Sequence, residues 1–88
     1  MRRIETTSHF DRALRLFIKK HPELRATIGR AIDHLAQAPF DLRYKTHPLS
    51  GRLRELHAAD VTHGYRIVFL LQSDEIIFTN IGSHDDVY

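Results

Sequence analysis

Two apolar runs near the carboxyl end constrain this chain most. Tyr65–Leu71 reads YRIVFLL, and Glu75–Ile81, EIIFTNI, follows after only Gln72-Ser73-Asp74. Runs of seven bounded by a polar turn are short for helices and rich in β-branched and aromatic side chains, so together they read as a β-hairpin. The first run is apolar on both faces toward its end, which places it in the middle of a sheet. With 88 residues in all, that sheet is the heart of a single domain spanning residues 1–88.

The segments upstream supply the rest of the fold. Residues 2–6 read as a short strand. Ser8 looks like an N-cap, with Asp11 three residues on. Phe10, Leu14, Phe17 and Ile18 recur at helical spacing and predict a helix over about 9–20, whose other side carries Arg12, Arg15 and Lys19. His21-Pro22 breaks that helix and starts another, because proline fits a first helical turn. Leu24, Ile28, Ala31, Ile32 and Leu35 mark its buried stripe, and it ends near Ala38-Pro39. Helices joined so tightly form an antiparallel hairpin. Residues 53–59 read as a further strand. The order is β-α-α-β-β-β, and the expected class is α+β: an antiparallel sheet with a helical hairpin packed on one face.

Composition narrows the chemistry. There is no cysteine, so disulfides and thiolate metal sites are excluded. Met1-Arg2-Arg3-Ile4-Glu5-Thr6 has no apolar run behind its two basic residues, and a cytoplasmic protein without leader or membrane segment is expected. Residues 1–44 hold nine Lys/Arg against five Asp/Glu, and residues 45–88 four against six. The stretch from Arg43 to Arg54, RYKTHPLSGRLR, carries the cations Arg43, Lys45, Arg52 and Arg54 and no acid. Such a stretch suits a phosphate backbone, although a solvated loop is the plainer reading.

Arg66 is out of place at the entry of the most apolar strand. A guanidinium there is either paired, with Asp60 or Glu55 of the neighbouring strand, or faces an open cleft on the sheet face that the helices do not cover. Of seven histidines, His47 lies in the cationic loop, His63 just before the central strand and His84 just after the last one. In a hairpin the start of one strand lies beside the end of the next, so His63, Arg66 and His84 are expected to converge. RNA carries its own nucleophile, the ribose 2′-hydroxyl. Its cleavage needs a base, a cation for the pentacoordinate phosphate and an acid for the leaving oxygen, and histidine with arginine supplies all three without metal. For any one surface histidine a solvated, inert role is the plainer reading. No histidine or cysteine spacing typical of a metal site occurs, nor a glycine-rich phosphate loop, so neither metal nor cofactor is expected.

Four segments taken in order, SHFDRALRLFIKKHPEL, KTHPLSGRLREL, GYRIVFLL and NIGSHDDVY, give the chain a family likeness. It resembles the RelE/ParE superfamily of type II toxin–antitoxin toxins, more closely the RelE/StbE and YafQ-like mRNA interferases. The resemblance covers nearly the whole chain and agrees with the β-α-α-β-β-β reading.

The resemblance implies a ribosome-dependent, metal-independent endoribonuclease that leaves a 2′,3′-cyclic phosphate and a 5′-hydroxyl. His47 in His47-Pro48-Leu49-Ser50-Gly51 matches a family histidine, and His84 in Gly82-Ser83-His84 matches another near the end. Arg66 matches a strand arginine that contacts phosphate in these toxins. The implied site is therefore His84 as acid or base, His47 as its partner and Arg66 as the clamp; with His63 they are the candidate catalytic residues, and Arg43, Lys45, Arg52 and Arg54 of the cationic stretch, with Tyr88, are the candidate RNA contacts. Tyr88 or Tyr65 is a candidate to stack on a base, core packing being the plainer reading. The chain departs from the YafQ-like pattern where a histidine and an aspartate precede the central strand: it has Asp60 and Gly64, with His63 between them as a substitute. The implied partners are a cognate antitoxin, the ribosome and mRNA, with no membrane. Two alternatives share the fold: a ParE-like inhibitor of DNA gyrase, and a catalytically inactive module that binds its antitoxin.

Overall fold

The computed structural model describes residues 1–51 and 55–87, with Asp86 described by its backbone alone. The chain begins with strand β1, Arg3–Thr6, and enters helix α1, Ser8–Lys20. The cap is Thr7, not Ser8: Thr7 is extended and its hydroxyl accepts from the Phe10 amide at 3.1 Å. The apolar stripe buries Phe10 and Phe17, and Lys19 and Lys20 sit in the last turn, where cations complement the helix dipole. Pro22 opens one 3₁₀ turn, Pro22–Leu24, before helix α2, Arg25–Gln37. This second helix buries Ile28, Ala31, Leu35 and Ala36 and stops at Ala38, ahead of Pro39.

Beyond it come β2, His47–Pro48; β3, Leu56–Thr62; β4, Tyr65–Leu71; β5, Glu75–Ser83; and a last turn of helix, α3, His84–Val87. The strand predicted over 53–59 thus lies at 56–62 in its described part, and Leu53 and Arg54 fall outside the described residues. The sheet order is β1-β5-β4-β3-β2, with YRIVFLL in the centre as its composition requires.

The sheet is mixed, which corrects the expectation of an antiparallel one. β1 runs parallel to β5, with Arg3 opposite Glu75 and Thr6 opposite Phe78. Parallel neighbours need a long connection, and here the whole of residues 7–74 provides it. The other pairings, β2 with β3, β3 with β4 and β4 with β5, are antiparallel.

Helices cover one face. Phe10, Phe69 and Phe78 meet there, with ring centroids 5.6 Å apart for Phe10–Phe78 and 6.1 Å for Phe69–Phe78. Fully buried aromatic rings such as these dominate the energetics of a small core. The opposite face carries a smaller apolar cluster, Leu49, Ala58, Val68 and Val87, so α3 folds partly over it.

Two irregularities set which side chains face where. Between β4 and β5 the register shifts at Thr79: Val68 pairs with Asn80, but Phe69 pairs with Phe78. The Thr79 hydroxyl donates to the Val68 carbonyl at 3.2 Å. Phe78 and Ile81, three residues apart, therefore both reach the helical core. A second shift lies between Asp60 and Thr62, next to the two-residue turn His63-Gly64. Gly64 has φ 86, a backbone region that favours glycine. Among the described residues no helix is long and apolar enough to cross a membrane.

Candidate active site

Strand alternation sends Tyr65, Ile67 and Phe69 toward the helices and Arg66 and Val68 to the other face. Tyr65 packs edge-on against Phe17 at 4.9 Å and its hydroxyl lies 3.2 Å from His21 Nε2, so it is a packing residue of the helical side.

Arg66 stands opposite Asp60 of β3 on one flank and Gly82 of β5 on the other. Its Nε donates to Asp60 Oδ1 at 2.7 Å, and both side chains are about two-thirds buried or more, at 23% and 34% exposure. Its Nη1 donates to His84 Nδ1, where α3 leaves β5. The arginine is thus both paired and presented on the open face. His63, in the β3–β4 turn, completes a concavity of about 340 Å3 lined by Asp60, His63, Gly64, Tyr65, Arg66 and His84. The expected convergence of His63, Arg66 and His84 is present in the geometry.

His47 lies on the same face but further along it. It is opposite Ala58, whose other neighbour is Val68, so its side chain shares the side of Arg66. Two strand spacings and two residues separate their Cα atoms, roughly 12 Å. His47 Nδ1 meets the Lys45 carbonyl at 2.9 Å, and Lys45 holds left-handed backbone with φ 48. A carbonyl only accepts, so His47 carries a proton on Nδ1.

The basic stretch is divided. Arg43 turns away toward the helices, in contact with Asp41 Oδ1 at 3.2 Å and with His34 at 3.3 Å. The Arg43 amide holds the Asp41 carboxyl below its ordinary range. Burial pushes the Tyr44 phenol up, and its hydroxyl bonds to His34 at 2.9 Å. Lys45 is exposed beside His47. Arg52, Arg54 and Tyr88 lie outside the described residues. Sequence reasoning offered Asp60 as an ion-pair partner of Arg66 and as a departure from the YafQ-like pattern, not as a site residue. Its place in the site was signalled by the spacing of a carboxylate and a guanidinium six residues apart around a tight turn.

Over residues 2–88 the sequence matches the bacterial toxins of type II toxin-antitoxin systems described as YafQ. The chain belongs to the YafQ toxin family. No curated protein sequence matches it. Among solved structures, YafQ of E. coli strain BL21(DE3) superposes with TM-score 0.86 at 21% identity, over 100% of this chain and 99% of that one. YafQ in the E. coli DinJ-YafQ complex gives 0.84 at 22%, over 100% and 99%. A YoeB/ParE toxin from Agrobacterium tumefaciens gives 0.78 at 16%, over 96% and 99%. The YafQ fold is therefore shared: two helices on a mixed five-stranded sheet.

Proposed function

We propose that this YafQ-family toxin is a ribosome-dependent endoribonuclease that acts on mRNA in the cytoplasm without metal. The observation that carries this reading is Arg66 on the open sheet face, held by Asp60 and joined to His84, with His63 on the rim of the same concavity. In the reaction a base takes the 2′-hydroxyl proton and the 2′-oxygen attacks phosphorus. The P–O5′ bond breaks, and an acid gives its proton to the 5′-oxygen. A 2′,3′-cyclic phosphate and a 5′-hydroxyl result. His84 and His47 divide the two proton transfers, and Arg66 stabilises the charge on the pentacoordinate phosphate. His63, on the rim of the same concavity, is a further candidate for proton transfer. Lys45, exposed beside His47, serves the RNA strand; for Arg52, Arg54 and Tyr88 the same role rests on the sequence alone, and Arg43, engaged by Asp41 and His34, is set aside.

The partner follows from family membership and from the DinJ-YafQ complex of the E. coli relative. A cognate antitoxin binds this chain and suppresses it, adding its binding free energy to the stability of a small domain.

The test is to map mRNA 5′ ends in translating cells after a short pulse of the toxin, beside His84→Ala and Arg66→Ala. Cuts inside translated codons that disappear in both variants support the nuclease. Growth arrest with intact mRNA refutes it in favour of a gyrase inhibitor, and harmless expression of the folded chain leaves an antitoxin-binding module.

A further inference from the structure

We propose that Asp60 is the positioning residue of this site, and that Arg66 is the point where His84 and the substrate phosphate exchange places. The inference rests on the nuclease reading and deepens it. A guanidinium only donates hydrogen bonds. Its contact with His84 Nδ1 therefore requires a lone pair there, so His84 is a neutral ring with its proton on Nε2. That lone pair is the one suited to take the 2′-hydroxyl proton, and the arginine engages it. A phosphate oxygen is a stronger, charge-assisted acceptor for Nη1. Substrate binding transfers Nη1 to phosphate and releases the His84 lone pair beside the sugar.

This exchange keeps its geometry only if the guanidinium is held at another atom. Asp60 does this through Nε, at 2.7 Å, from the position directly opposite Arg66 on the neighbouring strand. His47 is set differently. Its Nδ1 proton is given to the Lys45 carbonyl, a bond that neutral and protonated rings both make, so as acid it enters the reaction as the imidazolium, with the proton to be transferred on Nε2. His84 approaches Arg66 from the β5 side and His47 from the β2 side. An in-line displacement needs its base and acid on such opposite sides, and the lone pair on His84 Nδ1 makes His84 the base, which leaves His47 as the acid.

The experiment is long-range 1H–15N NMR of the histidine rings in the full chain, alone and with a DNA trinucleotide as an uncleavable phosphodiester. The free protein should show His84 as the Nε2–H tautomer, and saturating trinucleotide should shift His84 Nδ1 while His47 keeps its Nδ1–H. In Asp60→Ala the free His84 ring should become a mixture of tautomers. Codon cleavage by that variant should fall by about a hundredfold in kcat with KM little changed, as displacement of a reacting group by about an ångström would give. Asp60→Glu should restore part of both. The proposal is overturned by an Nδ1–H His84 in the wild type, by a trinucleotide that leaves Nδ1 unmoved, or by an Asp60→Ala variant with unchanged tautomer and kcat. The tautomers are read without turnover. A wild-type chain that shows this response yet cuts no mRNA supports the hold of Asp60 on His84 and sinks the nuclease reading alone.

Discussion

Replacing Arg66 by alanine separates a structural strut from a chemical clamp. The ion pair with Asp60 is intermediate in exposure, at 23% and 34%. Exposed pairs contribute up to about 1 kcal/mol, and breaking a buried pair costs about 3–5 kcal/mol, so the expected loss of stability is about 1–2 kcal/mol. For a domain of this size each kcal/mol moves the melting temperature by about 4–8 °C, which gives a fall of roughly 5–15 °C. Loss of one charge-stabilising donor in the transition state costs about 100- to 1000-fold in rate, or about 3–4 kcal/mol. Activity should therefore fall further than stability does. Thermal melts followed by circular dichroism, beside cleavage in a purified translation system, measure both on the same preparation. Cleavage within tenfold of wild type would refute the clamp. So would a stability loss above about 4 kcal/mol, which would make Arg66 a strut of the fold.

Other predictions follow from the fold. Phe78→Ala, at a fully buried position against Phe10 and Phe69, should cost about 3–5 kcal/mol in urea denaturation, a large share of the stability of so small a domain. Thr7→Ala should cost about 1 kcal/mol through loss of the α1 cap, and Ser8→Ala clearly less; equal effects would contradict the cap assignment. Burial raises the folded-state Tyr44 phenol above its value of 10.0, so the unfolded chain ionises first. The stability this confers is complete below about pH 10 and is lost as pH climbs through the folded-state value, and Tyr44→Phe should flatten that alkaline limb in pH-dependent melts.

The central hairpin was legible because its signal is local: YRIVFLL forms β4 with the predicted bounds. The convergence of His63, Arg66 and His84 was legible because strand ends in a hairpin are neighbours by construction. The pairing of β1 with β5 was not, since the four residues RIET carry no pattern that names a partner some seventy residues away. β2 escaped notice because two residues, one of them proline, make no periodic signal. The N-cap moved by one residue because Thr7 and Ser8 are both good caps, and only the extended backbone at Thr7 decides between them. The direction of Arg43 depends on Asp41 and on His34 of α2, a tertiary contact that a charge count does not contain.

The register shift at Thr79 has a consequence for how this toxin tolerates change in length. Thr79 is one residue of slack between the half of β5 that fills the core with Ile76 and Phe78 and the half that delivers Gly82 and His84 to Arg66. Taking up that slack by deleting Thr79 gives a regular ladder in which both halves stay in phase. Inserting one residue between Ile76 and Phe78 instead leaves Phe78 in phase with Gly82 and His84 and turns Ile76, before it, to the opposite face. The core and the chemistry of β5 are thus coupled by counting residues across Thr79.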